Sequence, residues 1–188
     1  MGFWDEPDKV DEYEKLADGY DGRELVEYLT TLIPPGTSVL ELGMGPGKDL
    51  DLLRDAGFHV TGSDASQVFV DRYLARSPDA DILLLDAVTL PTDRTFGALY
   101  SNKVLQHIDR DQMRRSLARQ VEVLEPGGIA LHALWYGEED QHNHGMLFTQ
   151  YTEALVREVL PDGLVLVQTL RYTEMEDDDS LRVTLRRA

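Results

Sequence analysis

The chain contains no cysteine, which excludes disulfides, thiolate metal sites and a cysteine nucleophile. No apolar stretch approaches the ~20 residues that a bilayer-spanning helix needs. Met1-Gly2-Phe3-Trp4-Asp5-Glu6-Pro7 has no basic region leading into an apolar run, so no signal peptide is expected. A cytoplasmic location is the simplest expectation. Basic residues are scarce: 18 Lys and Arg stand against 35 Asp and Glu, for a formal net charge of −17. Such a surface repels phosphate backbones, which proteins bind largely through Lys and Arg. Nucleic acid and anionic membranes are therefore disfavoured as partners. Arg110, Arg114, Arg115 and Arg119 share one expected helix, and their spacing reads as a solvated face. The run from Glu174 to Asp179 is the only charge block, and it reads as a hairpin turn between two apolar stretches.

What is present fits one ordinary globular domain over residues 1–188, with 42% hydrophobic and 28% charged residues. Residues 1–36 read as an N-terminal helical cap and 37–188 as the core. Asp11 to Leu32 reads as one or two helices, with Gly19–Gly22 as the point of any break and Pro34-Pro35-Gly36 as the close. Strands are expected at Ser38–Leu42, His59–Ser63, Ile82–Leu85, Gly97–Ser101, Ile129–Leu134, Leu164–Leu170 and Leu181–Leu185. The continuous apolar run Ile82-Leu83-Leu84-Leu85 has the signature of a strand buried on both faces. Helices are expected over Lys48–Asp55, Ser66–Ala75, Asp109–Leu124 and Thr149–Leu160. The last two strands are joined by a link too short for a crossover helix, so they must pair antiparallel. The pattern predicts an α/β fold: a Rossmann-like, doubly wound sheet of seven strands, the last one antiparallel, with helices on both faces. In such sheets ligands bind outside the carboxyl ends of the strands.

The loops after the strands carry the informative residues. Glu41-Leu42-Gly43-Met44-Gly45-Pro46-Gly47 runs from the first strand into a helix. Glycines allow a sharp turn and close approach of a ligand, and the helix N-terminus favours a carboxylate or phosphate. A dinucleotide fingerprint would put its third glycine at position 48, which is Lys48. The spacing here is G-x-G-x-G, with an acid two places before it. In this the chain resembles the class I methyltransferases, which use S-adenosylmethionine and release S-adenosylhomocysteine. The resemblance implies that Gly43, Met44, Gly45 and Gly47 hold the amino-acid end of the donor and that Glu41 anchors its ammonium, directly or through water.

Asp64 ends the second strand about 20 residues on, where a carboxylate accepts both hydroxyls of a ribose diol. Asp64 or Ser66 would otherwise serve to cap the next helix. The resemblance places Asp86 beside the adenine's exocyclic amine and the Ala87 amide at a ring nitrogen, with Ala65, Ser101 and Asn102 also along the donor. Leu105-Gln106-His107 matches a Leu-x-His stretch of small-molecule methyltransferases, and Leu124-Glu125-Pro126-Gly127-Gly128 matches the family's turn into strand five.

Methyl transfer from a sulfonium needs alignment and exclusion of water more than a special nucleophile. His107 is the best-placed base, although a histidine there equally serves to fix the loop by a hydrogen bond. His132, within a strand, reads as structural. Tyr20 matches an N-terminal lid tyrosine, and with Trp4, Tyr13, Trp135, Tyr136, Met146, Phe148 and Tyr151 it supplies apolar bulk for an acceptor pocket, ordinary core packing being the alternative for these side chains. Gln141-His142-Asn143-His144 offers no third ligand and reads as a mobile substrate loop, so no metal is expected. The expected partner is a small-molecule acceptor, and the expected state a monomer or homodimer. The alternatives are a non-catalytic module that binds S-adenosylmethionine, an NAD(P)-dependent oxidoreductase, and a methyltransferase of nucleic acid or protein.

Overall fold

The computed structural model describes residues 8, 10, 11, 15, 19, 21–143 and 146–188. Trp4, Tyr13, Tyr20 and His144 lie outside the described residues. Seven strands form one sheet in the order β3-β2-β1-β4-β5-β9-β8, the doubly wound arrangement that the alternating pattern predicts. The chain divides into two compact units, residues 1–86 and 87–188.

The first unit contains α1 (Arg23–Leu32), β1 (Ser38–Leu42), α2 (Lys48–Asp55), β2 (His59–Asp64), α3 (Gln67–Arg76) and β3 (Ile82–Leu84). β1, β2 and β3 pair in parallel. Val39, Leu40 and Leu42 of β1 are fully buried, as a strand covered on both faces requires. Met44, Leu50, Val70 and Tyr73 pack into a core that draws the glycine loop, α2 and α3 together. Ser66 caps α3 by accepting from the Phe69 N–H at 3.4 Å. One expectation fails here. β3 is an edge strand, and its Leu84 is 54% exposed rather than buried on both faces. Three apolar residues in a row fit an edge as well as a centre, because periodicity does not report how many neighbours a strand has.

The second unit contains β4 (Phe96–Asn102), a 3₁₀ turn (Leu105–His107), α4 (Arg110–Val123), β5 (Leu124–Trp135), β6 (Gln141–Asn143), β7 (Met146–Phe148), α5 (Glu153–Val159), β8 (Leu164–Tyr172) and β9 (Ser180–Arg187). β4 and β5 are parallel, while β9 runs antiparallel to both β5 and β8. The reversed strand is thus the last, as expected. α4 opens on a reciprocal cap between Asp109 and Gln112.

Two readings of this half are corrected. Gln141–Asn143 is not an open loop but one strand of a hairpin with β7. The arginines of α4 are not simply a solvated face. Arg119 donates to the Leu90 and Thr92 carbonyls at 3.1 and 2.5 Å, which holds the loop leading to β4. Arg110 pairs with Asp140 at 2.5 Å.

Candidate active site

The turn from β1 to α2 is shaped by backbone that only glycine adopts cheaply. Gly43, Gly45 and Gly47 have φ of 68°, 49° and 82°. At Gly47 a Cβ would also lie 2.2 Å from the Tyr73 ring. Tyr73 is fixed in turn, donating to Asp51 at 2.5 Å beneath the guanidinium of Arg76. Packing and handedness therefore both demand glycine at position 47.

Glu41 projects from β1 with only 3% of its surface exposed. Among the described residues its Oε2 has no hydrogen-bond partner. Burial, reinforced by the nearby charges of Asp49, Asp64 and Asp51, holds its carboxyl well above the usual carboxylate range. A buried carboxyl oxygen with no donor costs free energy unless something supplies one. Asp49, which sequence reasoning missed, is buried at the start of α2 and accepts from the Gly22 N–H at 2.7 Å. Gly22 lies two residues after Tyr20. The available signal was an acid in the first turn of the helix that follows the glycines.

Asp64 stands at the tip of β2, buried, and its two oxygens accept from different partners. Oδ2 takes the Gly45 N–H at 2.9 Å, and Oδ1 takes the Ser66 N–H at 2.8 Å. Burial raises its pKa, while these backbone donors and that of Ala65 oppose the rise. The structure thus brings Asp64 and the glycine loop together directly. Each oxygen retains acceptor capacity for a further donor. Asp86 follows β3 and is exposed.

In the second unit the Ala87 carbonyl accepts from Ser116 Oγ at 2.6 Å. Ser116 belongs to a buried chain of hydrogen bonds. Gln120 Nε2 lies 3.3 Å from Ser116 Oγ, His132 Nε2 lies 2.9 Å from Gln120 Oε1, and Ser101 Oγ lies 2.8 Å from His132 Nδ1. With Gln120 donating to Ser116, its oxygen accepts from His132 Nε2–H, which leaves Nδ1 to accept from Ser101. Burial alone pushes the His132 pKa down to about 4, so the ring stays neutral. His132 is structural, as its place in a strand predicts, and Ser101 is fully buried. Asn102 ends β4 half-buried.

His107 donates Nδ1–H to the Leu147 carbonyl at 3.0 Å and meets Phe148 edge-on at 4.8 Å. This bond ties the 3₁₀ turn to β7 and sets the tautomer whose basic lone pair lies on Nε2. Burial lowers its pKa, which favours the neutral form. Among the described residues no three His, Asp or Glu side chains are gathered to hold a metal ion.

Comparison with known proteins places this geometry. Residues 39–128, from β1 through the Pro-Gly-Gly turn, match the methyltransferase domain family. Over that span the chain is similar to methyltransferase domains. The chain has the fold of a 1,6-didemethyltoxoflavin N1-methyltransferase from Burkholderia thailandensis, with a TM-score of 0.78 at 21% identity over 95% of this chain and 83% of that one. It is 32% identical to a demethylmenaquinone methyltransferase of Renibacterium salmoninarum, over 65% of this chain and 50% of the relative. It is 31% identical to a tRNA (carboxymethyluridine(34)-5-O)-methyltransferase of Arabidopsis thaliana, over 64% of this chain and 28% of the relative. The chain thus spans half or less of the length of these curated relatives.

Proposed function

We propose that the protein transfers a methyl group from S-adenosylmethionine to a small-molecule acceptor. The observation that carries the reading is the buried Glu41 oxygen without a donor, set beside a left-handed glycine turn within the span similar to methyltransferase domains. An orphaned carboxylate ringed by Asp49, Asp51 and Asp64 calls for a cation with N–H groups, and the donor's ammonium fits that need. When bound, S-adenosylmethionine supplies a methyl group on a positively charged sulfur, a good leaving group.

In this reading Glu41 orients the ammonium, and Gly43, Met44, Gly45 and Gly47 let backbone approach the amino-acid end. Asp64, with Ala65 beside it, accepts from the ribose hydroxyls. Asp86 and Ala87 take the adenine, Ser101 and Asn102 continue the donor site, and Tyr20 closes over it. His107, held neutral, serves as the base where the acceptor must lose a proton.

The toxoflavin and menaquinone enzymes act on small molecules, and the former is described with S-adenosylhomocysteine bound. The tRNA enzyme does not shift the acceptor class, because a net charge of −17 opposes phosphate-rich partners. Among the described residues no helix is long and apolar enough to cross a membrane. A cytoplasmic monomer or homodimer is the corresponding setting.

Calorimetric titration with S-adenosylmethionine and, separately, with NAD(H) tests the reading. Micromolar binding of the former alone, lost in Asp64→Ala, is the expected result. Binding of NAD(H) alone would overturn it.

A further inference from the structure

Lys103 follows β4 with a φ of 57°, a left-handed backbone that is uncommon for a residue with a side chain. Such backbone persists where surrounding contacts over-determine it, and it concentrates near functional sites. The contacts here are dense. The Lys103 N–H donates to the Ala133 carbonyl at 3.0 Å. Its side chain is only 12% exposed, and Nζ lies 3.1 Å from the Leu134 carbonyl, 2.7 Å from Ser180 Oγ and 3.1 Å from Glu174 Oε2. Three acceptors match the three N–H groups of an ammonium. Nζ also sits 3.4 Å from the centroid of the Trp135 ring and 5.7 Å from that of Tyr172.

The acidic run that the sequence marks as a hairpin turn is built around this cation. The Asp179 carboxylate accepts from the N–H groups of Glu174, Met175 and Glu176, each at 3.0 Å. The Asp179 carbonyl accepts from the Tyr136 N–H at 2.7 Å. Arg171 stacks 3.7 Å over the Tyr136 ring. Residues 173–179 are therefore a preformed turn, docked where β4 and β5 end, with Lys103 as the ion between them. Ion pairs of this kind are seldom retained for stability, since apolar packing does as well; setting register is their better-attested use.

We propose that Lys103 is a positioning residue, whose ammonium holds the 173–179 turn across the carboxyl ends of β4 and β5 so that Trp135 and the turn form one wall of the acceptor pocket. The wall's role in acceptor binding rests on the methyl-transfer reading; the latch does not. Burial lowers the Lys103 pKa to about 8, against the opposing charges of Glu174 and Asp179. The titratable groups that face it are these two acids from the turn and Tyr172 from β8. Burial and Glu174 push the Tyr172 pKa upward, so that phenol stays neutral while Lys103 titrates.

The test uses a Trp4→Phe background, which leaves Trp135 as the single tryptophan. Trp135 emission is expected to titrate with a midpoint near pH 8. Lys103→Met abolishes that titration, and Glu174→Gln moves it to lower pH because Glu174 supports the charged lysine. Amide exchange at residues 174–176 and at Tyr136 becomes about tenfold faster in Lys103→Met and returns toward wild type in Lys103→Arg, which keeps the charge. Calorimetric binding of S-adenosylmethionine changes by less than about threefold in Lys103→Met, because the donor site does not use this residue. A Trp135 signal that does not titrate, one that titrates equally in Lys103→Met, or unchanged exchange in the turn overturns the proposal. Failure of the wild type to bind S-adenosylmethionine, with the titration intact, removes the methyl-transfer reading and the wall's role but upholds the latch.

Discussion

Glu41 and Lys103 are both ionisable side chains drawn out of water near the carboxyl end of a strand, and the chain treats them in opposite ways. Lys103 is given an acceptor for each of its three N–H groups and an aromatic ring beneath it. Glu41 is given a neighbourhood of like charge and an oxygen with no donor. Buried polar groups in native proteins are nearly always satisfied, so an exception asks what completes it. The satisfied ion belongs to the architecture. The unsatisfied one is the group we propose the donor's ammonium completes.

Substitution at each residue sharpens the contrast. Glu41→Gln removes the charge and is expected to weaken S-adenosylmethionine binding about a hundredfold, or ~3 kcal/mol, by calorimetry. Without ligand the same variant should unfold at higher urea than wild type, because Gln has no ionised form that burial and the neighbouring acids must suppress. Lys103→Met should do the reverse. It leaves Glu174 without its cation and is expected to cost ~2 kcal/mol in urea unfolding. Adding Glu174→Gln should recover most of that loss, as a non-additive pair does.

The pH dependence of stability separates the two residues again. The folded pKa of Glu41 is raised, so its contribution is fully present below the ordinary carboxylate value and is lost as pH rises through the folded pKa. The folded pKa of Lys103 is lowered from 10.5 to about 8, so its contribution is present above 10.5 and is lost as pH falls through 8. Urea midpoints measured across pH should therefore decline over the first window and rise over the second. Glu41→Gln flattens only the decline, and Lys103→Met only the rise. Smaller effects bound the comparison. Ser101→Ala leaves His132 Nδ1 buried without its donor and should cost ~1–2 kcal/mol. Arg114→Ala, which breaks an exposed pair with Asp111, should change stability by less than ~0.5 kcal/mol.

The two residues also differ in how far the sequence disclosed them. Glu41 was legible because its signal is local: an acid, a short strand and three glycines whose spacing sets the turn. The strand at Ser38–Leu42 and the helix at Lys48–Asp55 match the sequence reading to the residue, since both are bounded by strong breakers. Lys103 left no such trace. Its partners lie at positions 134, 174 and 180, and its left-handed backbone is imposed by those contacts rather than by a glycine. The hairpin of β6 and β7 was missed for a related reason. Each strand has three residues, too few to show an alternating period, and the 3₁₀ turn that anchors β7 through His107 acts at a distance in sequence. β3 was placed correctly along the chain but assigned the wrong surroundings, because edge and centre differ only in what lies alongside. Local chemistry reads forward from sequence, while burial created by distant partners does not.

The most direct test of the central claim is calorimetric titration of wild type and Glu41→Gln with S-adenosylmethionine, paired with urea unfolding of both without ligand. The account predicts that the variant is the more stable protein and the much weaker binder. Equal affinity of the two proteins for S-adenosylmethionine, or a less stable variant, would contradict the assignment of Glu41 as a carboxylate held open for the donor.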